Sequence, residues 1–137
     1  MALRFARSAE EQALRELDIT VERTGRTTAV RAVGRIDLAT ETPWHDQVMG
    51  AATATDDTTS VTVDLTAVTF LSWASTAVLI RAHRACLRRG RALRVLACGP
   101  VLTGLQLTRM NEEITIVPAT RPVHVERPRA ATSWLIA

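Results

Sequence analysis

The chain is 137 residues long, 47% hydrophobic and 23% charged, with a formal net charge of +3. That length sets a prior of one domain, and the apolar share suffices for a buried core, which excludes disorder by composition. No uninterrupted apolar run reaches the roughly 18–20 residues of a membrane helix, and the start, with Glu10, Glu11 and Glu16 close behind Met1, holds no signal-peptide stretch; a soluble cytoplasmic protein is the expectation.

Residues 1–16 read as an N-terminal arm or short amphipathic helix. Leu17–Arg23 alternates apolar and polar residues and predicts a strand; Gly25 breaks it, and Thr27–Ile36 alternates again, so the two form a hairpin. Asp37–Thr40 is turn chemistry. Thr40 suits an N-cap with Pro43 close behind, and 42–53 reads as a helix with Trp44, Val48, Ala51 and Ala52 on one side. After a polar loop at 55–60, Val61–Leu65 predicts a short β-branched strand, and Val68–Phe70 leads into a Ser/Ala/Thr patch. Ala74–Arg89 is the strongest helix, stopped by Gly90 after a basic last turn. Ala92–Cys98 is an apolar strand, Gly99–Pro100 opens a helix to about Thr108, and Ile114–Val117 is a last strand stopped by Pro118. The order β-β-α-β-α-β-α-β predicts an α/β fold, with a mixed, mostly parallel sheet of about five strands and helices packed on it. Residues 119–137 read as a tail whose apolar end, Trp134-Leu135-Ile136, is able to dock.

Cys86 and Cys98 make no disulfide framework and read as buried small residues in a reducing compartment. His45, His83 and His124 lie about forty residues apart, so no metal site is expected, and no motif implies a cofactor. All seventeen basic residues are arginine. No acid falls between Asp64 and Glu112, whereas Arg81, Arg84, Arg88, Arg89, Arg91, Arg94 and Arg109 all do. A nucleic-acid footprint is one reading; a solvated helix face plus turn is preferred, because no aromatic residue interleaves and no nucleic-acid-binding motif is present. Phosphate-loop and nucleophile-elbow motifs are missing too, leaving Asp37, Asp64 and His83 as the only candidates for an enzyme, the least favoured reading.

Two segments stand out together: Gly34-Arg35-Ile36-Asp37-Leu38-Ala39-Thr40, between a strand and a helix, and Asp64-Leu65-Thr66-Ala67-Val68-Thr69-Phe70-Leu71-Ser72-Trp73-Ala74-Ser75, a strand running into a helix start. Together, in this order on these elements, they resemble the STAS domain of anti-sigma-factor antagonists (anti-anti-sigma factors), over roughly residues 17–118. The resemblance implies the STAS fold and a role in transcription regulation and stress response. It also implies a partner, an anti-sigma factor of the GHKL serine-kinase type, which phosphorylates a serine at the start of the second helix. The unmodified family protein binds this kinase and releases a sigma factor, and the phosphate blocks binding. A phosphate brings about −1.5 to −2 charges into a packed interface. Here the pattern departs: Ser72 falls on the family's Asp/Ser position, Trp73 on the phosphoserine, and Ser75 and Thr76 on the Gly and Leu that follow. Tryptophan accepts no phosphoryl group, so the switch is lost or has moved to Ser72, Ser75 or Thr76; for Ser75 and Thr76 helix capping is the preferred alternative. Asp37 matches the family's acidic loop residue or is a turn residue bonding its own backbone. Asp64 ends a strand and caps or pairs.

On the long helix, at 100° per residue, Ser75, Val78, Leu79, Ala82 and Cys86 form the core face. Trp73, Ala77, Ile80 and Leu87 fall opposite, interrupted by Arg84 and flanked by Arg81 and Arg88. Such a stripe has the composition of an interface hot spot, for a partner or a homodimer, unless the Trp134 tail or the arm with Leu3 and Phe5 covers it. The expected partner-binding residues are Asp37, Leu38, Thr40, Ser72, Trp73, Ser75, Thr76, Ile80 and Arg84. The alternatives are a ligand- or nucleotide-sensing STAS module using the same loop and helix, and a self-associating scaffold without a phospho-switch.

Overall fold

A computed structural model describes residues 17–119. The arm and tail expected at 1–16 and 120–137, with any covering role of theirs, lie outside the described residues.

β1 (Leu17–Thr24) and β2 (Thr27–Ile36) are antiparallel, with Thr24 opposite Thr27 across a two-residue turn. Gly25 takes φ +61° there, a conformation that costs a glycine little. A 3-10 turn (Leu38–Thr40) leads into α1 (Glu41–Thr53). Then come β3 (Ser60–Leu71), α2 (Trp73–Arg88), β4 (Ala92–Ala97), α3 (Gly99–Leu107) and β5 (Thr115–Pro118). The sheet order is β1-β2-β3-β4-β5, with every pair after the first parallel. This is the expected mixed α/β sheet with three helices.

Alternation on β3 places Val61, Val63 and Leu65 in one core with Val30, Ala32, Leu93 and Val95 of neighbouring strands. Trp44, Val48, Val78, Leu79 and Ala82 of α1 and α2 join that core, so these helices cover one face of the sheet. The core face expected on the long helix is buried as a set, and Gly90, with φ +69°, follows the helix end.

Several expectations are corrected. β3 is one strand of twelve residues, not a short strand and a lead-in. β2 holds it to the end through register shifts after Arg31 and Gly34, whereas β4 pairs only with Ser60–Asp64. Asp64 is therefore mid-strand. Its carboxylate is 4% exposed on the sheet face opposite α1 and α2; it accepts from the Thr66 amide (2.9 Å) and hydroxyl (2.6 Å) and lies 3.6 Å from Arg31. Arg91 is not part of a solvated face: it is 6% exposed and donates to the Ala51, Ala52 and Ala54 carbonyls at the end of α1. Cys86 is buried as expected, and burial pushes its thiol pKa up, with Arg91 and Arg89 acting weakly against this. Cys98 is only half-buried, its thiol donating to the Thr66 carbonyl.

Candidate functional site

The turn after β2 and the start of α2 meet at one end of the sheet. The Ser72 amide donates to the Ile36 carbonyl (2.9 Å), joining the last residue of β2 to the residue before the helix. Asp37 follows directly. One carboxylate oxygen accepts from the Ala39 amide (3.1 Å), and the other lies 3.5 Å from Arg35. The turn reading of Asp37 therefore holds geometrically. Thr40 corrects an expectation: its hydroxyl makes no cap bond to α1. It accepts from the Asp37 amide (2.9 Å) and donates to the Arg35 carbonyl (3.0 Å), closing the turn on itself while fully buried. Leu38 is left outside this turn at 85% exposure.

The hydroxyls around the helix start have distinct partners. Ser72, and not Ser75 or Thr76 as expected, is the N-cap, its Oγ accepting from the Ser75 amide (3.2 Å) and lying 2.8 Å from Ser75 Oγ. Ser75 is fully buried, and its carbonyl accepts from the Trp44 indole N–H at 3.1 Å, which ties α1 to the first turn of α2. Thr76, 8% exposed, donates to the Trp73 carbonyl at 2.6 Å. Of the three, Ser72 is the more accessible.

Between these groups Trp73 projects outward, 72% exposed. Most of this large apolar side chain is left in water. Leu38 and Trp73 thus flank the backbone bond between Ile36 and Ser72. Ile80 and Arg84 lie two and three turns along α2. Ile80 is half-buried against the core, not on the free stripe, whereas Arg84 is exposed and pairs with Glu113 at 3.0 Å.

Sequence reasoning missed part of this surface. Phe70, at the end of β3, is 42% exposed under the Arg35 guanidinium, 4.6 Å from its ring centre. Leu107, at the end of α3, is 78% exposed. An open groove of about 280 Å³ runs between Phe70, Trp73 and Thr76 on one side and Val101, Gly104 and Leu105 on the other, and no charged side chain lines it. The available signal was the composition of 99–107, apolar nearly all round with no charged face.

The enzyme candidates do not form a centre. The sheet separates the Asp64 carboxylate from His83 on α2, and Asp64 is committed to Thr66 and Arg31. Among the described residues no three His, Cys, Asp or Glu side chains come together as metal ligands, and no helix is long and apolar enough to cross a membrane.

Comparison with known proteins places this geometry in a family. A family model described as "Mlab, STAS domain" matches residues 19–118. The anti-sigma-F factor antagonist RsfA of Mycobacterium tuberculosis, in strains CDC 1551 and H37Rv, is 32% identical over 81 residues. That alignment covers 59% of this chain and 63% of the relative's own length. The crystal structure of an anti-sigma factor antagonist from Mycobacterium paratuberculosis superimposes with a TM-score of 0.66 at 26% identity, over 75% of this chain and 86% of that one. Unphosphorylated SpoIIAA, an anti-sigma factor antagonist, shares the fold with a TM-score of 0.63 at 16% identity, over 81% of this chain and 96% of its own. With the model match spanning well over half of the sequence and the five-stranded mixed sheet in place, the chain belongs to the STAS-domain family.

Proposed function

We propose that this chain is a regulatory binding module of the anti-sigma-factor-antagonist type, acting by protein–protein contact and not by catalysis. Its docking surface is the 37–40 turn with the first turns of α2, and its partner is an anti-sigma factor of the kinase class. The observation that carries the reading is Trp73: an exposed indole at the helix start, where the family resemblance sets a phosphoserine. In place of a group that toggles between neutral and dianionic, the surface presents a permanent apolar contact, so docking is constitutive with respect to this position.

The test begins with affinity capture from lysate of the native cell, followed by equilibrium binding with the captured anti-sigma factor. Trp73→Glu is expected to weaken that complex by more than about 1 kcal/mol, since aromatic anchors dominate such interfaces. Intact-mass measurement after incubation with partner and ATP is expected to show no phosphate. Unchanged affinity and oligomeric state in Trp73→Glu reject the reading, and a phosphate on Ser72, Ser75 or Thr76 shows a relocated switch.

The groove beside Trp73 supports a second reading, a small-ligand sensor. Its uncharged lining suits an apolar molecule and not a nucleotide. A rise in thermal midpoint with such a compound, abolished by Gly104→Leu, favours it; Gly104 lines the groove, and a Cβ there meets nothing within 4 Å.

A further inference from the structure

The sheet has a second face. From β2 to β5 the strand order advances one neighbour at a time. Right-handed crossovers then set α1, α2 and α3 on the same side, in accord with the groove that α2 and α3 share. None of the described helices therefore covers the other side, although parallel strands are as a rule buried on both faces. The centre of that side is nevertheless closed. Thr62, Asp64 and Thr66 are 7%, 4% and 4% exposed, whereas Thr20 on β1 and Ala92 and Arg94 on β4, on the same face, are exposed. Arg31 lies over Asp64. Thr62 has no such cover from its neighbours in register, since Ala29 is short and Arg94 is exposed. Its hydroxyl oxygen is buried without a hydrogen-bond partner among the described residues.

This burial holds in a single chain with no neighbour, so neither a second copy nor another protein supplies it. The chain's own residues 1–16 and 120–137 remain. Covering a sheet takes an unbroken element with an apolar side. Residues 120–137 contain Pro122 and Pro128, which interrupt a helix. They also carry Arg121, Arg127 and Arg129 against a single Glu126, the wrong sign for a face with Arg31 and Arg94. Residues 1–16 hold neither Gly nor Pro. At 100° per residue Leu3, Phe5, Ala6, Ala9, Ala13 and Leu14 fall in one half of the helical wheel, and Glu10 is the one charged residue of 2–14 in that half. The alanines permit close approach to a face built on small side chains. Glu10 carries the sign that suits Arg94, which has no carboxylate partner among the described residues. Residue 16 joins β1 directly, at one edge of the sheet. A helix over 2–14 is about 20 Å long, enough to span the roughly 14 Å from β1 to β4.

We infer that residues 1–16 form a helix packed across the sheet face opposite α1, α2 and α3, over Thr62, and complete the fold as a third layer. The inference is independent of the proposed function and leaves Trp73, on the helix side, free for a partner.

Paramagnetic labelling of the full chain tests it. A nitroxide is attached at Ala92→Cys, exposed at the margin of that face, or at Leu87→Cys, exposed on the outer side of α2, each combined with Cys98→Ser; Cys86 is buried. The label at position 92 is expected to broaden the amide signals of residues 3–14, and the label at position 87 to leave them sharp. Ala9→Asp, on the apolar half, is expected to lower the thermal midpoint by at least about 4 °C and to abolish the broadening. The neighbouring Ser8→Asp, on the polar half, changes neither. Signals of 3–14 that stay sharp with both labels, broaden equally with both, or broaden from position 87 alone overturn the inference. Broadening of 120–137 in place of 3–14 overturns it in favour of the tail. Broadening seen only when labelled and isotope-enriched copies are mixed overturns it in favour of a second copy. Equal midpoints for Ala9→Asp and Ser8→Asp overturn it as well.

Discussion

Arg91 is 6% exposed, and its guanidinium is spent on carbonyl groups. Ala51, Ala52 and Ala54 are acceptors with no further turn of α1 to donate to them, and the guanidinium replaces the missing donors while reaching Asp56 at 3.3 Å. Arg91→Ala leaves those buried carbonyls unpaired, and a loss of about 2–4 kcal/mol in chemical denaturation is expected, far above that of exposed Arg94→Ala. Asp56 depends on the same corner. The Thr58 amide first, then the Thr58 hydroxyl, hold its carboxyl below the ordinary value of 3.8, with Arg23 and Arg91 contributing. A depressed carboxylate stabilises the fold above its unfolded value, and that contribution is lost as pH falls through the folded one. Asp56→Asn is therefore expected to make the thermal midpoint less sensitive to acid below 3.8, with little change in the slope near neutrality. The sequence did not reveal Arg91's burial, because it sits among six other arginines in an acid-free run and its acceptors lie about forty residues earlier.

At the scale of the element, α2 begins where Ser72 caps it and where Trp44 reaches the Ser75 carbonyl. Ser72→Ala removes the acceptor for the Ser75 amide and is expected to cost about 1 kcal/mol by thermal melting, with no change in the position of β3. The helix itself was legible: apolar spacing selected Val78, Leu79, Ala82 and Cys86 as its buried side, and local periodicity is sufficient for that. The extent of β3 was not. Thr66-Ala67-Val68-Thr69 shows no clean alternation, and what extends the strand is the irregular pairing of Ala67, Val68, Phe70 and Leu71 with β2, a property of two chain segments and not of one. Ile80 was misassigned to the free stripe for a related reason. A helical wheel gives direction but not the depth at which neighbouring elements lie.

Across the whole molecule the parallel strands share a direction, so the ends of β2, β3 and β4 all open toward one pole, with the 37–40 turn and the starts of α2 and α3. The two motifs about 27 residues apart in sequence meet there because β2 and β3 are neighbours, which is why the pair was readable together and neither was informative alone. Leu38 and Trp73 lie at that pole and outside the core cluster. Trp73→Glu should accordingly leave the unfolding midpoint within about 0.5 kcal/mol of the parent, whereas Trp44→Ala, emptying a fully buried site, should cost about 3–5 kcal/mol. Denaturation curves for the two variants separate surface from scaffold. The groove escaped sequence reasoning because its walls come from β3, α2 and α3 and no short motif spans them.

The overhang of β3 makes the recognition pole a cantilever. Residues 60–64 are clamped between two strands, while 67–71 have β2 as their single strand neighbour. Amide hydrogen exchange along one continuous strand should therefore fall into two regimes, with 61–64 exchanging only through global unfolding and 67–71 through a cheaper local opening. A partner seated on Trp73 would slow the second group without touching the first, giving the outer half of the strand a built-in gauge of occupancy.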